Sequence, residues 1–229
     1  MSENTVHISY EDMLKAGMHF GRKKTVFDPN MARYVFTVRD GICIIDLLKT
    51  QTQLAYTIEF IKKTIKDGGL ILFVALTKQT VETTKELAES LSMPYVLDRW
   101  LGGTLTNFKI INSRVKKLEE MEREVSGEGM EKYTKKERLM FTKEMEKMKT
   151  RFEGLKRLTR LPDAIFVTSL KESALPVREA IKMGVKVIAI ANTDSNPELA
   201  DFVIPANDRS KKSGDLIIET IKISIKNDK

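Results

Sequence analysis

The distribution of apolar residues predicts an α/β fold whose strands are buried on both faces. Leu70 to Leu76 is a nearly unbroken apolar run, which is typical of a parallel strand covered by helices on both sides. Before it, apolar residues recur every three or four positions from Gln53 to Lys66, which predicts a helix that Gly68-Gly69 ends. Strand–helix–strand alternation resumes later and predicts right-handed crossovers in a doubly wound, mostly parallel sheet. The other predicted strands are Ala164 to Thr168, Val185 to Ala191 and Phe202 to Ile204, and the other predicted helices are Ala174 to Met183 and Asp215 to about Ile225.

A β-hairpin is predicted ahead of this pattern. Tyr34 to Val38 and Ile42 to Asp46 are rich in β-branched and aromatic residues, and Asp40-Gly41 between them is a turn signal. We expect an antiparallel hairpin at the edge of a sheet.

A segment with coiled-coil spacing interrupts the α/β pattern between about Asn107 and Arg160. Two apolar series repeat at intervals of three and four residues, as packed helices require. Ser126 to Gly129 separates them as a flexible turn, and Thr134 with Glu137 has the spacing of a capping box that starts the second helix. We predict an antiparallel coiled-coil hairpin over residues 107–160, inserted into a discontinuous α/β body of residues 1–106 and 161–229. The two series are Phe108, Ile111, Val115, Leu118, Met121 and Val125, then Phe141, Met145, Met148, Phe152 and Leu155.

Positive charge is concentrated on this insertion. The 229 residues contain 39 Lys and Arg against 32 Asp and Glu, a formal net charge of +7. Residues 109–160 hold 16 of these cations and 10 of these acids, so the rest of the chain is close to neutral. A solvated coiled coil with paired flanking charges explains many of these residues but not the asymmetry, which a phosphate-facing surface explains.

The chain carries no sign of secretion or membrane insertion. A single cysteine, Cys43, cannot form an internal disulfide, and the first ten residues lack the apolar core of a signal peptide. No stretch approaches the roughly 20 apolar residues of a membrane span. We expect a cytoplasmic protein with no membrane partner.

The motifs of nucleotide-binding α/β enzymes are absent from the sequence. There is no G-x-G-x-x-G run, and the turn from Thr77 to Thr80 lacks the glycines of a P-loop. His7 and His19 are the only histidines, and no Cys/His spacing indicates a metal site. We expect neither catalysis nor a cofactor. Turn formation explains the acids near predicted strand ends better than a weak divalent-ion site does; these acids are Asp194, Asp201 and Asp208.

Two segments suit RNA binding better than simple packing, and the first runs from Gly17 to Lys24. His19 and Phe20 stand between glycines and lead into three consecutive cations. Aromatic and imidazole rings stack on unpaired bases, and Arg and Lys hold the phosphates. We expect Phe20 to enter the core and the cations Arg22 to Lys24 to contact phosphate.

The second segment, Asp98 to Phe108, places the only tryptophan between an arginine and a double glycine. The glycines allow the backbone to lie close to a phosphate or to another chain. Alternatively, Trp100 anchors the base of the helical hairpin and Gly102-Gly103 form a sharp exit from the sheet. We assign Arg99 to RNA in either case.

Five segments, in order along the chain, resemble the bacterial small-subunit ribosomal protein S2 family (uS2). The resemblance extends over nearly the whole chain, with the helical insertion in the corresponding place. Several motifs in register are far more specific than any one alone. The segments are Ala16 to Gly21, Ile44 to Leu47 with Lys49-Thr50, Arg99 to Asn107, Leu161 to Val167, and Asp201 to Pro205.

The resemblance implies a flavodoxin-like α/β body with a protruding coiled coil and no catalytic activity. It implies binding to small-subunit ribosomal RNA and to neighbouring ribosomal proteins, with a docking role for ribosomal protein S-one and no homo-oligomer. The chain departs from the family at three places. Arg22 stands where the family often has His, Ala206 where it often has Gly, and Thr159-Arg160 where it has a glycine-rich lead into Leu161.

We predict a structural component of the small ribosomal subunit, bound to ribosomes in the cytoplasm. A small nucleotide-binding α/β enzyme is the alternative, and a free scaffold without RNA is a third that the charge asymmetry disfavours. The methionines Met121, Met145 and Met148 leave open a protein-docking role for the hairpin. The predicted RNA-binding residues are His19, Arg22, Lys23, Lys24, Arg33, Arg99, Trp100, Gly102, Gly103, Thr104, Asn107, Lys109, Arg114, Lys116 and Lys117.

Overall fold

The fold consists of a five-stranded β-sheet covered by helices and a separate three-stranded β-sheet. The computed structural model describes residues 8–126 and 134–226. The strands are β1 (Phe20–Lys23), β2 (Val35–Arg39), β3 (Ile42–Ile45), β4 (Ile71–Ala75), β5 (Tyr95–Leu97), β6 (Ala164–Val167), β7 (Lys186–Ala191) and β8 (Phe202–Pro205). The α-helices are α1 (Tyr10–Lys15), α2 (Leu47–Lys66), α3 (Val81–Ser90), α4 (Phe108–Ser126), α5 (Lys135–Phe152), α6 (Ala174–Met183) and α7 (Lys211–Lys226).

Five parallel strands form the main sheet, in the order β5-β4-β6-β7-β8. This is the flavodoxin-like order, in which the chain begins at an inner strand, moves to one edge and then crosses to the other side. The predicted α/β class is confirmed, and the strands predicted at Leu70, Ala164, Val185 and Phe202 are β4, β6, β7 and β8. The sequence pattern did not single out β5 or the helix α3 that precedes it.

Both faces of the main sheet are buried under helices. Side chains alternate between the two faces along each strand, so neighbouring residues lie in different core clusters. Ile71 and Phe73 of β4 lie in a core cluster that includes residues of α2, α3 and α7. Leu72 and Val74, the alternate positions, lie in a second cluster that includes residues of α4 and α6. Burial on both faces explains why the strands are continuous apolar runs in the sequence.

The predicted hairpin belongs to a separate antiparallel sheet, in the order β1-β3-β2. Asp40 and Gly41 have φ angles of 50° and 74°, as a tight two-residue hairpin turn requires. The sequence predicts this hairpin at the edge of a sheet, and the structure pairs it instead with β1. A Cβ at Gly21 of β1 would lie 2.7 Å from both the Cys43 carbonyl oxygen and Thr193 Cγ2. Glycine therefore lets the small sheet pack closely on the loop that follows β7.

The predicted insertion begins with a helix that contributes to the core. Ile111, Val115 and Leu118 of α4 lie in the same core cluster as Leu72 of the main sheet, and Leu118 is fully buried. The buried side of α4 therefore belongs to the core on this face of the sheet, and α4 also starts the helical pair.

The second helix of the insertion, α5, is more exposed than α4. It begins at the predicted capping box, in which Thr134 and Glu137 bond to each other reciprocally. Leu139 and Met140 on its surface are 57% and 63% exposed. The predicted turn over Ser126 to Gly129 lies mostly outside the described residues. The coiled coil and the domain boundaries at 107 and 160 stay predictions.

Candidate nucleic-acid interface

One buried carboxylate holds the loop between β5 and α4. Glu179 of α6 accepts hydrogen bonds from Trp100 Nε1 at 3.0 Å and from the backbone N–H of Gly103 at 2.8 Å. Its other oxygen accepts from the backbone N–H groups of Leu105 at 3.0 Å and Thr106 at 3.2 Å. The loop therefore wraps around an anion that the protein itself supplies.

These hydrogen bonds keep the Glu179 carboxylate ionised. Burial alone would raise the pKa of Glu179. The bonds from Trp100, Gly103, Leu105 and Thr106 outweigh burial and hold that pKa below its ordinary value. Because these donors are directed at Glu179, they are not available to a phosphate of RNA.

Two predicted RNA-binding side chains of this loop are turned inward. Trp100 is 5% exposed and Thr104 is fully buried, with its hydroxyl donating to the Leu101 carbonyl oxygen at 2.6 Å. Neither side chain can stack on a base or bond to a phosphate in this conformation. For Trp100 the structure favours the alternative role, an anchor for the base of α4.

The remaining predicted residues of the loop stay accessible. Arg99, Gly102 and Asn107 are exposed, and Gly103 is half-buried with its N–H given to Glu179. Arg99 is the one cation among them, as the sequence suggested.

Arg99 lies in a basic groove that sequence reasoning missed. The groove encloses about 540 Å³ between the Arg99 loop and α5, and Lys147 and Arg151 of α5 line it together with Arg99. Asp98 is the one acid in its lining. Lys147 and Arg151 are four residues apart and therefore share one face of α5. That spacing was visible in the sequence, but the placement of α5 beside the loop was not.

Arg22, predicted to contact phosphate, is engaged inside the protein. Its Nε lies 3.4 Å from Asp194 Oδ2 and its Nη2 lies 3.4 Å from Asp208 Oδ1. Asp208 is 3% exposed and also accepts from Ser169 Oγ at 2.7 Å and from Asn192 Nδ2 at 3.0 Å. Arg22 thus ties β1 to the loops that follow β7 and β8, and only 24% of its side chain is exposed.

The rings of Phe20 and His19, which precede Arg22, are placed differently from each other at the surface. Phe20 is 47% exposed, so the prediction that it enters the core is wrong. His19 is half-buried, burial lowers its pKa, and its ring centroid lies 4.0 Å from that of Phe20. At neutral pH His19 is therefore an uncharged ring and does not add positive charge to the segment.

The remaining cations of the N-terminal segment are exposed, as expected for phosphate contacts. Lys23 and Lys24 follow Arg22 directly, and both are on the surface. Arg33 is also exposed, and its guanidinium lies 5.3 Å from the centroid of the Tyr34 ring. These three residues stay in the candidate interface.

The predicted cations of α4 are also on the surface. Lys109, Arg114 and Lys116 are exposed. Lys117 is exposed too, but its Nζ lies 3.4 Å from Glu144 Oε1 of α5, which offsets part of its charge. The first three therefore offer more positive charge to a partner than Lys117 does.

Two of the basic segments lie at the same edge of the main sheet. Arg99 follows the carboxyl end of β5. The small sheet, which contains Lys23 and is followed by Lys24, packs on Thr193, and Thr193 follows the carboxyl end of β7. The carboxyl ends of parallel strands share one edge. Because β7 is the third strand from β5 in the sheet, roughly 14 Å separate the carboxyl ends of these two strands.

The three acids considered for a divalent ion do not form one group. Asp194 and Asp208 lie at the carboxyl edge and are paired with Arg22, and Asp194 Oδ2 is also 2.8 Å from Lys171 Nζ. Asp201 precedes β8 at the opposite edge, where its Oδ1 lies 2.6 Å from Lys186 Nζ. Residues 8–126 and 134–226 contain no cluster of three or more His, Cys, Asp or Glu side chains arranged to hold a metal ion.

Comparison with known proteins gives a consistent result. The family model for ribosomal protein S2 matches residues 13–227. The chain is 45% identical over 213 residues to small ribosomal subunit protein uS2 of Thermus thermophilus. The aligned residues make up 93% of this chain and 83% of that relative. It is 41% identical over 220 residues to the uS2 protein of Fusobacterium nucleatum, covering 95% and 89%. The uS2 protein of Deinococcus radiodurans is 39% identical over 221 residues, covering 93% and 84%.

The helices of the described part of the chain include none that is long and apolar enough to span a membrane. The family match extends over both sheets and the helical insertion, and the segments that carry the resemblance all lie within it. The chain belongs to the ribosomal protein S2 family.

Proposed function

We propose that this protein is a structural constituent of the small ribosomal subunit that binds small-subunit ribosomal RNA along the carboxyl edge of its main sheet. As a member of the S2 family, it is a structural ribosomal component and not an enzyme. The observation that carries the proposed RNA interface is the gathering of exposed cations at that edge. Lys23 and Lys24 at one end and Arg99 with Lys147 and Arg151 at the other come from three separate parts of the chain.

The proposed mechanism is electrostatic binding with little reading of sequence. Lys and Arg side chains neutralise phosphates and release the counterions condensed on RNA, which makes affinity fall steeply with salt. Contacts to phosphate fix position and orientation but do not distinguish bases. The folded backbone brings these cations, which come from the small sheet, the Arg99 loop and α5, to one side of the molecule before RNA binds, and this suits the role.

Protein partners complete the proposal. We place the chain on cytoplasmic ribosomes as a single copy beside other ribosomal proteins, with ribosomal protein S-one as a docking candidate. Leu139 and Met140 on α5 are large, exposed apolar side chains, and apolar surface of this kind, with methionine as an adaptable component, suits protein docking. α5 therefore presents apolar side chains as well as the cations of the groove.

Fractionation of a lysate on a sucrose gradient tests the proposal most directly. The protein is expected to comigrate with small subunits at low salt and to be released as salt rises, because the attachment is largely ionic. A protein found only in the light fractions at low salt would contradict the assignment.

A further inference from the structure

We propose that the outer face of the small sheet is a stacking surface for an unpaired nucleotide of RNA, with Phe20 as the stacking ring. This inference rests on the proposed function and specifies one part of it. The strand register, the exposure of Phe20 and the charges on either side of the face carry it.

The register places two rows of side chains on the face that points away from the core. Residues directly opposite in antiparallel strands share a face. Phe20 of β1 pairs with Ile44 of β3, which pairs with Thr37 of β2. Since Cys43 and Ile45 of β3 are buried, Ile44 and its row point outward.

The next row supplies positive charge. Lys23 of β1 pairs with Ile42 of β3, which pairs with Arg39 of β2. Ile42 lies two residues from Ile44, so the two rows are roughly 7 Å apart. Lys23 and Arg39 are exposed and stand at the two sides of the face, and neither has an ion-pair partner among residues 8–126 and 134–226.

Phe20 is supported in a way that suits a stacking ring. It is 47% exposed, and the His19 ring lies 4.0 Å from its ring at an interplanar angle of 40°. A Cβ at Gly17 would lie 3.5 Å from the Phe20 ring, so this ring also lies over the Gly17 backbone. The ring is thus held from behind while much of its surface faces solvent, which lowers the entropy lost when a base stacks on it.

The composition of this face favours RNA over a protein partner. The cores of protein interfaces are depleted of charged residues. Here the rows combine one aromatic ring and two isoleucines with an unpaired cation at each side. An aromatic ring that stacks on an unpaired base, next to cations that hold its phosphates, is the usual arrangement for single-stranded RNA.

The test compares Phe20→Leu with Phe20→Trp in binding to small subunits depleted of this protein. Leucine keeps an apolar side chain but removes the ring, and tryptophan keeps a ring. Tyr56→Leu is the matched control, because it removes a 58% exposed ring from α2, outside the small sheet. Circular dichroism melts of all variants verify folding. Ultraviolet crosslinking of the bound wild-type protein, followed by peptide mapping, identifies what contacts Phe20.

Phe20→Leu is expected to weaken binding roughly fivefold or more at fixed salt, as the loss of one stacked base predicts. Its salt dependence should stay unchanged, Phe20→Trp and Tyr56→Leu should bind as the wild type does, and the peptide with Phe20 should crosslink to a nucleotide. Wild-type affinity of Phe20→Leu, or a crosslink from this peptide to a protein, would overturn the inference and leave the proposed function standing. Failure of the wild type itself to bind the depleted subunits would instead overturn the proposed function.

Discussion

The Glu179 carboxylate accepts the indole N–H of Trp100 at 3.0 Å, across 79 residues of sequence. Together with the N–H groups of Gly103, Leu105 and Thr106, this bond fixes the loop that carries Arg99. A buried carboxylate with this many donors replaces the solvent that each donor would otherwise need. The position of Arg99 at the proposed RNA interface therefore depends on a residue that does not touch RNA.

Replacing Glu179 with Gln is expected to destabilise the protein by about 2–3 kcal/mol, because the amide turns an N–H group toward the loop donors and leaves one or more of them unpaired. Urea denaturation, monitored by the fluorescence of Trp100, measures the change in the free energy of unfolding. Glu172→Gln is the control, because Glu172 forms an exposed pair with Arg209 and should change stability by less than about 1 kcal/mol. Equal effects of the two substitutions would contradict the structural role of Glu179.

The lowered pKa of Glu179 also predicts a dependence of stability on pH. A carboxyl whose folded pKa lies below its ordinary value of 4.5 stabilises the fold above that pH, and its contribution is lost as pH falls through the folded pKa. The wild type should therefore lose stability more steeply than Glu179→Gln on acidification below pH 4.5. Denaturation curves measured at a series of acidic pH values test this, and parallel losses in both proteins would refute it.

The sequence predicted elements that have a local apolar pattern, but it did not predict contacts between residues that are distant along the chain. Runs such as Leu70 to Leu76 predicted four of the five main strands, because burial on both faces leaves a continuous apolar signal. The fifth, β5, has three residues, and its first and last residues are only partly buried, so its signal is short and weak. The roles of Trp100 and Arg22 depend on acids far away in sequence, and no local pattern identifies such a partner.

The positions of Phe20 and of the groove residues Lys147 and Arg151 also depend on tertiary packing that local sequence does not show. The alternation around Phe20 is compatible with either face of a strand, and only pairing with Ile44 places its ring outward. Lys147 and Arg151 share a helix face by spacing alone, but their proximity to Arg99 depends on how α5 packs. Local sequence therefore predicted the elements and several exposed cations, and tertiary packing decided which of them meet.

Arg22→Met is expected to reduce stability by about 2–3 kcal/mol, because Asp208 and Asp194 are 2% and 6% exposed at their side chains and lose a cation. The retained pair between Lys171 and Asp194 and the partial exposure of Arg22 keep the loss below that of a fully buried pair. Chemical denaturation measures it. The adjacent Lys23→Met is the control, with a change of less than about 0.5 kcal/mol, as for an exposed residue. If Lys23→Met lost more stability than Arg22→Met, Lys23 and not Arg22 would be the cation that stabilises the fold.

Leu118→Ala tests whether α4 belongs to the core of the body. Leu118 is fully buried in the cluster that covers the main sheet, so truncation should cost about 2–5 kcal/mol. Leu139→Ala removes the same atoms from a side chain of α5 that is 57% exposed, and should cost about 0.5 kcal/mol or less. Denaturation midpoints of the two variants give the comparison. Similar small losses would indicate that the helical pair is independent of the sheet.

The groove between the Arg99 loop and α5 predicts a change in salt dependence. Replacing Lys147 and Arg151 together by Ala should weaken binding to depleted small subunits. The slope of log affinity against log salt should become shallower by about 0.7 for each phosphate that the protein no longer neutralises. The measurement is a set of binding isotherms at several salt concentrations, with stability verified by thermal melts.

The matched control removes the same charge from the same helix. Lys135 and Lys136 are exposed in the first turn of α5, roughly 18 Å from the groove along the helix axis. If the groove holds phosphate, Lys135→Ala with Lys136→Ala should leave the slope nearly unchanged, because that end of α5 lies outside the groove. If both pairs of substitutions flatten the slope equally, binding follows the total charge of α5, and Arg99, Lys147 and Arg151 do not form a distinct binding site. A slope that is unchanged by either pair would assign α5 to protein contacts, and the RNA interface would then be confined to the loops at the sheet edge.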